Sequence, residues 1–84
     1  MPKFKDSVEF ADDIEVDAAD KGAANATAAT IAALPYVSSA VVTGMQQARG
    51  KATVHVVYRV PKGAEPELPT RVIERLSALG LIEA

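Results

Sequence analysis

Along Lys51–Val60 the side chains alternate in character: Ala52, Val54, Val56, Tyr58 and Val60 share one parity, Thr53, His55, Val57 and Arg59 the other. A period of two with β-branched and aromatic content predicts a half-buried strand, and the other elements must cover its apolar side. Ser7–Val16 alternates in the same way through Val8, Phe10, Ile14 and Val16. Asp12 falls on that apolar parity, which predicts either a bulge or a break at Ala11–Asp13, the latter giving an N-terminal hairpin.

Between these segments, Asp17-Ala18-Ala19-Asp20 reads as a helix start, with Asp17 as N-cap and Asp20 adding charge to the first turn. The helix runs through an Ala-rich stretch to Pro35, with Ala24, Thr27, Ile31 and Leu34 on one stripe. Val37–Met45 reads as a second strand, although its apolar residues are split between both parities. The polar Gln46–Gly50 then predicts an antiparallel hairpin into Lys51–Val60, with Gly50 free to take positive φ. Pro and Gly punctuate a loop at 61–66. A second helix over about Pro66–Leu79 carries Leu68, Val72, Leu76 and Leu79 on its stripe, and Gly80 is placed to end it. Leu81–Ala84 can add at most a very short strand.

The order is β-α-β-β-α with a very short or absent fourth strand. This predicts an α+β fold of the ferredoxin-like, split βαβ kind, with two helices on one face of an antiparallel sheet. A chain of 84 residues has room for one core, so residues 1–84 are read as a single domain.

Composition narrows the function classes. The chain has no Cys, which removes disulfides, thiol catalysis and Cys-containing metal sites. The opening MPKFKDSVEF lacks an apolar run, and no stretch is long and apolar enough to span a bilayer, so a cytoplasmic protein without membrane contact is expected. Net charge is only −2, yet it is unevenly spread. Asp6, Glu9, Asp12, Asp13, Glu15, Asp17 and Asp20 crowd the first twenty residues, whereas the next forty-four hold no acid.

Two segments carry a resemblance. Ala28–Val42, AATIAALPYVSSAVV, and Arg75–Leu81, RLSALGL, are similar to the helix exits of the small heavy-metal-associated domains of copper chaperones and metal-pumping ATPases. They cover about a quarter of the chain and imply the ferredoxin-like fold. That family binds soft metal through paired cysteines between its first strand and first helix. The corresponding EVDAADKGAAN of Glu15–Asn25 has no thiol, so the fold is implied without its metal function. Asp12, Asp13, Asp17 and Asp20 suit a hard ion in type, but their spacing matches no calcium loop. No metal or cofactor is expected.

His55 is the only histidine and stands without a nucleophile motif, so it reads as a polar strand residue and no enzymatic activity is expected. Gln46, Gln47, Arg49, Lys51, His55, Arg59 and Lys62 gather on the hairpin tip and the open sheet face, with Val57 and Val41 on or near that face adding apolar area. Single-stranded nucleic acid is the alternative ligand for such a surface, but the stacking aromatics that RNA-binding sheets use are missing from it. An acidic first strand and a basic hairpin are complementary, so a protein partner or a second copy is the preferred reading. The expected function is a non-enzymatic interaction or assembly module, for which a viral or phage particle is one fitting context. The contact surface is read as Arg49, Lys51, His55, Val57 and Arg59, together with an under-protected sheet edge.

Overall fold

The computed structural model describes residues 3–83. It is an α+β fold with strands β1 (Val8–Asp17), β2 (Val37–Gln46) and β3 (Lys51–Val60) and helices α1 (Lys21–Ala32) and α2 (Thr70–Ala78). The strands form one open sheet in the order β1-β3-β2. Phe10–Tyr58 makes one compact unit; residues 3–9 and 59–83 make a second.

In the Phe10–Tyr58 unit, the alternation of β3 becomes burial. Ala52, Val54 and Val56 are no more than 1% exposed. Ala28 of α1 packs on Val54 and Val56, while Ala24 joins Ala18 and Ala52. Methyl side chains on the buried stripe let the helix axis lie close to the sheet. Tyr58 keeps the core parity and stacks on Phe10, with ring centroids 4.8 Å apart.

The mixed parity of β2 has a mechanical cause. Its register against β3 shifts between Val37 and Ser39 and again between Val42 and Gly44. Each bulge turns the following residues over by one position. Val37, Ala40, Val42 and Met45 therefore all reach the core despite their odd and even numbers. Gln47–Arg49 forms a single 3-10 turn, and Gly50 follows at a φ of 63°, the left-handed conformation that glycine adopts freely. The Gly50 carbonyl accepts the Ala18 amide at 2.9 Å, tying the end of β1 to the hairpin turn.

Three sequence expectations need correction here. β1 neither bulges nor breaks at Asp12: half-buried and exposed residues alternate from Val8 to Asp17, with Asp12 among the half-buried. Asp20, not Asp17, caps α1, because β1 continues through Asp17 and only Asp20 returns to extended backbone before the first turn. Its carboxylate accepts the Ala23 amide at 2.8 Å. Leu34 does not extend the buried stripe and is 54% exposed. A residue near Pro35 is disfavoured in helical geometry, so α1 ends at Ala32 before Leu34 can face the core. Asp20→Ala should cost about 1 kcal/mol in a urea unfolding curve, the usual worth of an N-cap.

In the second unit, Phe4, Val60, Val72, Leu76 and Ile82 are buried. Phe4 exchanges backbone hydrogen bonds with Gly63 and Ala64, while Lys3 and Lys5 pair with Glu83 and Leu81. The fourth strand thus amounts to one isolated bridge, Phe4 to Ile82; Ala84 lies outside the described residues. α2 starts at Thr70 rather than near Pro66, since Pro69 forces Leu68 out of helical geometry. Gly80, at φ 74°, ends it as expected. The Leu81 amide reaches the Leu76 carbonyl and the Gly80 amide that of Ser77, both at 3.0 Å, which is a Schellman closure. Leu79 is the cap residue beyond the last turn and is 66% exposed, not part of the buried stripe. Among the described residues, no helix is long and apolar enough to cross a membrane.

Candidate interaction face

Because α1 lies on the Val54–Val56 side of β3, the opposite parity of that strand forms the second face of the sheet in the Phe10–Tyr58 unit. Lys51, Thr53, His55 and Val57 stand there. Register adds the neighbours: Val41 opposes His55, Ser39 opposes Val57 and Gln46 opposes Lys51. Val41 is 56% exposed.

β1 contributes acids to the same face. Asp13 Oδ1 lies 2.8 Å from His55 Nδ1. A carboxylate only accepts, so this contact holds the imidazole with its proton on Nδ1. Lys51 pairs with Asp17. The step of four from Asp13 to Asp17 is matched by a step of four backward from His55 to Lys51, the signature of antiparallel neighbours. Arg49 donates to Gln46 Oε1 at 2.6 Å and stands 3.8 Å from Glu15. In the other unit, Arg59 donates to Glu9 Oε2 through Nε and Nη2, at 3.1 and 2.8 Å.

Arg49, Lys51, His55 and Arg59 therefore each have an acid of β1 beside them in the same chain. The acidic strand and the basic hairpin, complementary on paper, satisfy each other intramolecularly. These exposed pairs add little stability. Their effect is to leave the face close to neutral, with Val41 and the half-buried Val57 as its apolar content. His55 and Val57 lie on this face, Arg49 and Lys51 at its hairpin end, and Arg59 belongs to the second unit. The sequence placed Val41 on or near this face with Val57; the acidic partners are the members it did not place there. A signal for the acids existed, since Asp13 and Asp17 repeat at the spacing of Lys51 and His55.

Lys51 holds the Asp17 carboxyl below its ordinary value, by hydrogen bond first and charge second. Asp17 in turn raises the Lys51 ammonium. For a depressed carboxyl, the associated stability is present above the unfolded value of 3.8 and is lost as pH falls through the folded value. For the raised ammonium, it is present below 10.5 and is lost as pH rises through the folded value. In Lys51→Met, the Asp17 carboxyl should titrate at higher pH than in the parent chain by carbon-detected NMR; an unmoved midpoint would refute the pairing.

Among the described residues, no group of three or more His, Asp or Glu side chains gathers as a metal ion would need. Comparison with protein-family models, with curated proteins and with solved structures gives no significant match.

Proposed function

We propose that this chain is a non-enzymatic association module that recognises protein, a second copy included, through the open face and edge of its β2–β3 hairpin. We read its element order, its sheet order and the Phe4–Ile82 bridge as a ferredoxin-like split βαβ with a vestigial fourth strand. The observation that carries the functional reading is the intramolecular pairing of the hairpin cations around an exposed Val41. A phosphate backbone binds by displacing small counterions from free Lys and Arg. Here it would instead have to compete with Asp13, Glu15 and Asp17 at fixed positions. A near-neutral face with exposed aliphatic surface is the better match to protein.

The test is sedimentation equilibrium of the chain from micromolar to millimolar concentration, alongside titration of a single-stranded oligonucleotide at low salt. Reversible self-association without oligonucleotide binding is the expected result. A salt-sensitive complex with the oligonucleotide and no self-association would replace this reading with the nucleic-acid one.

A further inference from the structure

The occupant of the hairpin edge can be named, an inference that rests on the association reading above. In the order β1-β3-β2 the edge strands are β1 and β2. They are chemically opposite. β1 carries Glu9, Asp12, Asp13, Glu15 and Asp17 in ten residues. β2 is as long and carries no charged residue at all. Charged side chains are one device that keeps an edge strand from pairing with another chain, and β2 lacks them.

Two further observations point to the same strand. Among the described residues, Leu34, Tyr36, Val41 and Leu79 are the exposed large hydrophobics, and the first three lie on the segment that leads into and forms β2. Tyr36 is held there at a φ of 66°, where a bulky side chain is rarely found. The bulges of β2 fall toward its two ends and leave Ser39–Val42 in regular register, Ser39 opposite Val57 through Val42 opposite Val54.

We propose that β2 pairs antiparallel with β2 of a second copy about a twofold axis at Val41, joining two three-stranded sheets into one of six. Such an interface is self-complementary and closes at two chains. Val41 meets its own counterpart, Ala40 meets Val42 of the second copy, and no charge is brought against another. The same operation on β1 would set carboxylates against carboxylates, which cross-strand repulsion disfavours. Pairing β2 with β1 of another copy would place Val41 beside acids and is heterologous, so two chains would leave one edge of each kind unpaired. A six-stranded sheet is of ordinary size.

Sedimentation equilibrium on the full chain, on Val41→Lys, on Val41→Glu and on their equimolar mixture tests the pairing, with circular dichroism verifying that each variant is folded. The parent chain should form dimers and nothing larger. Each variant alone should dimerise at least about tenfold more weakly, because like charges meet on the axis, and the mixture should recover dimer. Amide exchange across Ser39–Val42 should slow as the parent chain is concentrated. If both variants dimerise like the parent, or the mixture shows no recovery, the edge is wrong while the association reading stands. Species beyond the dimer would likewise overturn the closed pairing. A parent chain that stays monomeric at millimolar concentration would sink both this pairing and the self-association on which it rests.

Discussion

Val54→Asp is expected to leave the chain unfolded at room temperature, with random-coil circular dichroism and collapsed amide dispersion in NMR. Val54 has no exposed surface and lies under Ala28 on the central strand. An aspartate there would be a buried charge without a counterion, costing several kcal/mol even after its pKa rises. Domains as a whole hold only about 5–15 kcal/mol, and short chains bury the smallest fraction of their surface. Thr43→Asp, on the exposed parity of the neighbouring strand, should change stability by no more than about 0.5 kcal/mol. Cooperative unfolding of Val54→Asp at normal denaturant concentrations would mean that the buried face of β3 has been assigned wrongly.

The second large effect is steric. Ala28→Leu should destabilise by about 1–3 kcal/mol in urea, since three extra carbons have to enter a site walled by Val54 and Val56. β-Branched neighbours have few alternative rotamers with which to yield. Ala24→Leu should cost less, because Met45 packs beside that site and its unbranched chain can move aside. The ranking of the two variants is the informative outcome. Equal costs would argue that the helix shifts as a body instead of the neighbours repacking.

Much of this architecture was legible before any coordinates. The β3 alternation, the hairpin over Gln46–Gly50 and the Gly80 stop depend on local rules, and the structure obeys them. What escaped were features decided by tertiary register. Two bulges scramble the parity of β2; Gly44 stands at the second, as an isolated strand glycine often does, but nothing in VSSAVVTGM marks the first. Asp17 and Asp20 both suit an N-cap, and the length of β1 decides between them. Leu34 and Leu79 continue the helical stripes by spacing, yet each helix ends before its leucine can face inward. For the candidate face, the charge asymmetry was visible in the sequence, but its meaning reversed. Only the adjacency of β1 and β3 shows that the acids and cations meet within one molecule instead of between two.

The alternation of acids along β1 also bears on how the chain is made. The strand that β1 needs, β3, begins at Lys51, so on a ribosome β1 emerges long before its hydrogen-bonding neighbour exists. Through that wait, Val8, Phe10, Ile14 and Val16 are a nascent sticky ribbon, and Glu9, Asp13, Glu15 and Asp17 act as gatekeepers between them. The carboxylates that later meet Lys51, His55 and Arg59 thus have an earlier task, keeping a waiting segment from finding the wrong companion.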